Sequence, residues 1–177
     1  MRNSRCQFII NTDQYMELEK IAIGAYHPLK GFLKENDFLS VVETMHLSTG
    51  EIFPLPISLN ISSEDAVKIS KSSIVDLKYD GEIVGTLTPE SVFTLDKRKC
   101  AEKIFCYNND AHPGVSHFYD SGDFFVGGPI TLLKRMNNEF SPYELTPKET
   151  KLHFKEKNWD TVAAFHTRNV PHRAHEW

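Results

Sequence analysis

The sequence predicts an α+β chain: a small barrel of short strands with peripheral helices, followed by the opening helix, strand and turn of an α/β domain. Three observations carry that expectation. Ile74–Tyr79 and Glu82–Leu87 are two strand-like runs separated by Asp80-Gly81, a dipeptide suited to the positive φ angles of a tight hairpin turn. Residues 53–61 alternate with period two, and residues 124–136 form a long strand pattern broken or bulged at Gly127-Gly128-Pro129. After a run of Asn, Ser-Pro and Thr-Pro between 137 and 147, the pattern changes to a helix start and a short apolar run, which sets a boundary between residues 1–145 and 146–177.

Each element follows from local chemistry. Thr12 is a plausible cap for a helix through Ile23, with Tyr15, Leu18, Ile21 and Ala22 on one stripe and Gly24 as its stop. A turn-rich loop, Tyr26-His27-Pro28-Leu29-Lys30-Gly31-Phe32, precedes a second stripe of Phe38, Val41, Val42 and Met45. The prolines at 54 and 56 place the first half of the alternating run at a sheet edge, and a short helix is expected after Ser62 or Ser63. His112-Pro113-Gly114-Val115 and the Gly127-Gly128-Pro129 break are turn geometry, because a glycine pair without a following helix makes no phosphate loop. Thr146 caps a helix with Pro147 at its first position and Glu149 at its third, and Leu152, Phe154 and Trp159 belong to that helix's packing and exit.

Composition narrows the function. A net charge of -4 with mixed signs leaves no basic footprint for nucleic acid, and no stretch reaches membrane-spanning length, so the expected ligand is small and no membrane partner is expected. Cys6, Cys100 and Cys106 are odd in number and lack C-x-x-C spacing, which argues against a disulfide framework or a zinc site and for buried or partly buried free thiols. The apolar run behind the N-terminal charges is too short for a signal peptide, so the expected compartment is cytoplasmic.

The chemistry concentrates in residues 161–177, T-V-A-A-F-H-T-R-N-V-P-H-R-A-H-E-W. Residues 161–165 have the composition of a strand buried on both faces. Asn169 can cap a helix, Pro171 suits its first turn, and residues 173–176 have helical propensity. The ten positions that follow the strand hold His166, Thr167, Arg168, Asn169, His172, Arg173 and His175, nearly all hydrogen-bond donors. His172 and His175 are three apart and would share one helix face beside the free N–H groups of the first turn, an arrangement that favours an anion and above all a phosphate. No metal ligands are identified.

Arg168-Asn169 with His172-Arg173-Ala174-His175 resembles the Q-T-R-N-P-x-H-R-A-H signature of ATP sulfurylases (sulfate adenylyltransferases). Residues 24–32, 111–115 and 119–129 resemble stretches of that family's first domain, in order and at similar spacing. The resemblance implies a PUA-like domain for the barrel, followed by the first strand and motif of the catalytic domain. It implies transfer of AMP from ATP to sulfate, with Mg2+, in sulfate assimilation, and a homo-oligomer at full length. His166 and Arg168 inherit sulfate contact, Thr167, Arg168 and Asn169 the catalytic positions, and Asn169, His172 and His175 the ATP phosphates.

The family usually has Gln where this chain has His166 and Pro where it has Val170. These departures leave open an oxyanion acceptor other than sulfate. A stand-alone PUA-like binding or assembly module with a relict motif is a further alternative. Since the resemblance covers about half of a family member, the chain is expected to be an N-terminal portion, inactive by itself.

Overall fold

The computed structural model describes residues 4–175, with His175 described by its backbone alone. The chain divides into two compact units, Met1–Glu144 and Leu145–Trp177. The first holds every strand among the described residues: β1 (Arg5–Ile9), β2 (Gly31–Phe32), β3 (Leu59–Ile61), β4 (Ile74–Tyr79), β5 (Glu82–Leu87), β6 (Ser91–Thr94) and β7 (Phe124–Leu132). Its helices are α1 (Thr12–Ala22), α2 (Glu35–Thr44), α3 (Ser63–Ser70), α4 (Lys97–Phe105) and α5 (Pro113–Asp120).

β7 is the strand on which the sheet is assembled. Its first half pairs with β3 and β6, both antiparallel, with Val126 opposite Leu59 and Val92. Its second half pairs with β5 through Ile130 to Leu132 and with β2 through Gly128 and Pro129. The change of partners falls at Gly127-Gly128-Pro129, where the sequence predicts a break. The strand instead runs through to Leu132, and its backbone reaches around two sets of neighbours. Glycine is required there. A Cβ on Gly128, whose φ is +150°, would sit 2.0 Å from the Thr88 carbonyl oxygen, and one on Gly31 would sit 1.9 Å from that of Gly128.

Beyond β5 the sheet continues through β4 to β1, which lies parallel to β4. The β4–β5 hairpin turns as expected, with Asp80 at φ 48° and Gly81 at φ 81°. Leu18, Ile21, Leu59, Ile69, Val75, Leu77, Val84, Leu87 and Val126 fill one core on the α1 side. A second core under α2 is built on Phe38, Phe93 and Phe125, whose ring centroids lie 5.5 to 6.1 Å apart. The result is a curled mixed α+β fold.

Several sequence expectations shift. Asn11, not Thr12, caps α1, because its side chain accepts from the Gln14 N–H while the Gln14 side chain accepts from the Asn11 N–H, closing a capping box. Gly24 stops the helix as expected. Its N–H reaches the Ile21 carbonyl and that of Ala25 reaches Lys20, the pair of bonds of a Schellman ending. Ala22 and Met45, assigned to buried stripes, are exposed at helix ends. Of residues 53–61 only Leu59–Ile61 becomes a strand, since Pro54 and Pro56 have no N–H for a ladder. Cys100 is buried and Cys6 partly so, but Cys106 is exposed, in the left-handed region at the end of α4. All three thiols are free.

One ion pair ties the parallel edge strand down. Arg5 donates from Nε and Nη2 to the two carboxylate oxygens of Asp76 at 2.7 and 2.6 Å, and Asp76 is 5% exposed. The Arg5 hydrogen bond is the first cause holding the Asp76 carboxyl below its ordinary range. A lowered folded value means that this stability is present above the usual carboxylate pKa and is lost as pH falls through the folded one. Asp76→Ala is expected to lower stability at neutral pH, by less than a fully buried pair would because Arg5 is more than half exposed, and to flatten the acid limb of an unfolding-midpoint against pH curve. Gly31→Ala is expected to lose about 1–3 kcal/mol by overpacking against the Gly128 carbonyl. Urea titration measures both.

Candidate functional site

The second unit opens on α6 (Pro147–Glu156). The Thr146 hydroxyl accepts from the Glu149 N–H at 3.3 Å and the Glu149 carboxylate accepts from the Thr146 N–H at 2.7 Å, so the expected capping box is formed, with Pro147 at the first position. The exit is built as firmly as the start. Asn158 adopts φ 53°, its N–H reaches the Lys155 carbonyl, and the Trp159 N–H reaches that of Phe154 at 3.1 Å. The indole packs on Phe154 at 6.0 Å and edge-on to His153 at 6.2 Å, the apolar contact that accompanies such an ending.

Downstream, the structure departs from the expected strand and helix. Residues 161–165 form no strand, and Val162 and Phe165 are exposed. A buried strand needs neighbours to complete its hydrogen bonds, and no strand occurs among the described residues of this unit. The helix expected from Asn169 is also reduced, to a single 3-10 turn at Arg173–His175. Its cap is His172 rather than Asn169: the His172 Nδ1 accepts from the Ala174 N–H at 3.3 Å. The residue before Pro171 is biased away from helical backbone, which moves the start downstream. His172 and His175 therefore share no regular helix face, and the His175 side chain lies outside the described residues.

The remaining donors sit in a tight turn. The Asn169 N–H donates to the Thr167 hydroxyl at 3.0 Å, and that hydroxyl lies 3.4 Å from the Asn169 carbonyl oxygen. Thr167 is half-buried, whereas His166, Arg168, Asn169, His172 and Arg173 are exposed. The structure thus brings Thr167 and Asn169 together and His172 against the following turn. Imidazole, hydroxyl, guanidinium and amide groups occupy successive positions, a set suited to binding an oxyanion.

The other singled-out motifs belong to the first unit. His27 and Lys30 are among the residues lining a cavity of about 710 Å³ whose wall includes Gly128 and Pro129. His112 is more than a turn residue: it caps α5, with Nδ1 accepting from the Gly114 and Val115 N–H groups. Histidine followed by proline was the available signal for that helix. Among the described residues no group of three or more His, Cys, Asp or Glu side chains is placed to hold a metal, and no helix is long and apolar enough to cross a membrane.

Comparison with known proteins agrees with this fold. Residues 2–135 match the family model described as PUA-like domain, and the chain belongs to that family. Residues 141–177 match the model described as ATP-sulfurylase. Curated relatives named sulfate adenylyltransferase include that of Thermococcus onnurineus, 40% identical over 168 residues covering 95% of this chain and 44% of the relative. That of Synechococcus sp. is 38% identical over 163 residues, 91% of this chain and 42% of the relative. This chain spans less than half the length of either. A solved structure titled hexameric APS kinase from Thiobacillus denitrificans superposes over 98% of this chain and 30% of its own with a TM-score of 0.71, at 21% identity. It shares the fold.

The capping box gives the second unit its own test. Thr146→Ala is expected to destabilise α6 by about 1 kcal/mol and to lower the helical circular dichroism, while Lys148→Ala, on an exposed helix position without a capping role, leaves both unchanged.

Proposed function

We propose that this chain supplies the PUA-like region and the oxyanion-handling turn of a sulfate adenylyltransferase, with residues 146–177 the opening of its catalytic domain. The observation that carries the reading is the cluster of donors His166, Thr167, Arg168, Asn169 and His172, all exposed except the half-buried Thr167, within the residues that match the ATP-sulfurylase model. In the proposed reaction a sulfate oxygen attacks the α-phosphorus of ATP, the bond to the bridging oxygen of the β-phosphate breaks, and adenylyl sulfate and pyrophosphate result. Sulfate is fully ionised at neutral pH, so no general base is required. Catalysis then reduces to positioning and to offsetting charge.

The roles follow donor chemistry. Arg168 can satisfy two oxyanion oxygens with its planar fork, and His166 beside it adds an imidazole donor toward sulfate. Thr167 and Asn169, already held in one turn, present hydroxyl and amide to the reacting groups. Asn169, His172 and His175 are assigned to the ATP phosphates and to the charge that collects on departing pyrophosphate. Mg2+ is read as arriving on the nucleotide phosphates, and no step is routed through it. A homo-oligomer in the cytoplasm, without nucleic acid or membrane as partner, completes the reading. His166 in place of the family's glutamine specifically favours a second possibility, an acceptor oxyanion other than sulfate.

The protein encoded by the complete reading frame should release pyrophosphate from ATP only when sulfate is added. Arg168→Ala should lower kcat/KM by about 10²–10³-fold, the loss typical of removing one charge-stabilising donor. Release that depends on another oxyanion and ignores sulfate would contradict the acceptor assignment. The purified 177-residue chain should show no turnover, because its donor turn is exposed to water and residues 161–165 stand outside any sheet.

A further inference from the structure

The stretch between β7 and α6 has the composition of a linker, yet residues 135–144 form a closed strap against α1. No ladder holds it. β7 ends at Leu132, and the strand bonds beyond it are those of the Leu133 and Lys134 N–H groups to the Val84 carbonyl, both before the strap begins. Little apolar burial holds it either. Met136 packs against the core on the α1 side, but Phe140 and Tyr143 are 62% and 84% exposed.

Hydrogen bonds do the holding. Within the strap the Asn138 side-chain oxygen accepts from the Phe140 N–H at 2.7 Å, the Ser141 hydroxyl accepts from the Asn138 N–H at 2.9 Å, and Ser141–Tyr143 make one 3-10 turn. At its start the Met136 N–H donates to the Tyr15 hydroxyl at 2.8 Å and Arg135 Nε donates to Glu19 Oε1 at 2.7 Å, both acceptors lying on α1. At its end Glu144 closes the loop, with Oε2 accepting from Arg135 Nη2 at 3.2 Å and Oε1 from the Asn138 amide at 3.4 Å. One guanidinium thus joins α1, the first residue of the strap and the last.

The two halves of this bridge are unequal. The Glu19 side chain is 13% exposed, so its short bond to Arg135 is sheltered from water and salt, whereas Glu144 is 41% exposed and its longer bonds are open to screening by ions. The outer half opens first. We infer that residues 135–144 are a releasable strap: Arg135, seated on Glu19, is the catch, Glu144 is the group it holds, and release of Glu144 turns a fixed connection into a free tether. The device decides whether the chain leaves the first unit from one place beside α1 or from many.

Limited proteolysis of the 177-residue chain by chymotrypsin tests this, because cleavage after Phe140 or Tyr143 needs an opened strap and follows the open population when reclosing is fast. The rates at these two bonds are read by mass spectrometry, relative to a free peptide of the same residues under the same conditions. Glu144→Gln should raise them about two- to fivefold, the range for an exposed ion pair, without moving the urea midpoint. Arg135→Met, which keeps the apolar stem and leaves Glu19 without its cation, should raise them about tenfold or more. Glu90→Gln, which breaks the similarly exposed pair with Lys34, should change nothing. Added NaCl at about 0.5 M should speed cleavage of the wild type more than that of Glu144→Gln. Cleavage of Glu144→Gln no faster than that of the wild type or of Glu90→Gln, or wild-type cleavage indifferent to salt, overturns the inference.

Discussion

The structure depends on one strand being bare of side chains where it is most crowded. β7 is paired on both edges from Phe124 to Val126, and along its length β5 and β6 follow one edge while β2 and β3 follow the other as far as Pro129. The handover on each side falls at Gly127-Gly128-Pro129, where the Thr88 and Glu90 N–H groups bond the Pro129 and Gly127 carbonyls and the Ile130 N–H bonds that of Lys30. Any Cβ on Gly127 would meet the Leu33 carbonyl oxygen at 2.3 Å. Backbone therefore packs on backbone at the centre, and the two cores collect around this seam through Val126 and Phe125. Everything peripheral, including the parallel edge strand held by Arg5 and Asp76, hangs from it.

How much of this is legible in the sequence depends on how local each determinant is. The Asp80-Gly81 hairpin, the Thr146 to Glu149 capping box and the Gly24 stop are decided within a few residues, and all three are formed. β1, β2 and β6 escape notice, because short runs such as Gly31-Phe32 become strands only when a partner is present. α4 escapes because its Lys-Arg-Lys opening hides a stripe of two buried residues, Cys100 and Ala101. Gly127-Gly128 is ambiguous for the same reason. A glycine pair marks either a break or a close approach, and only the neighbouring chain distinguishes them.

The candidate site divides along the same line. Its chemical inventory is a property of composition over a few positions, so the donors at His166, Thr167, Arg168, Asn169 and His172 can be named directly. Its scaffold is not legible in that way. The apolar run at 161–165 predicts burial, which requires flanking strands, and the Pro171-His172 pair hands the cap to the histidine and leaves only a 3-10 turn.

The claim that β7 is the common seam is tested most directly by native-state hydrogen exchange at the Thr88, Glu90 and Ile130 amides, which bond across its two edges. The account predicts that all three exchange only through global unfolding, with one shared free energy and one shared denaturant dependence. Exchange of Ile130 through a local opening, well below the free energy found for Thr88 and Glu90, would show that the two edges are separate units and would contradict it.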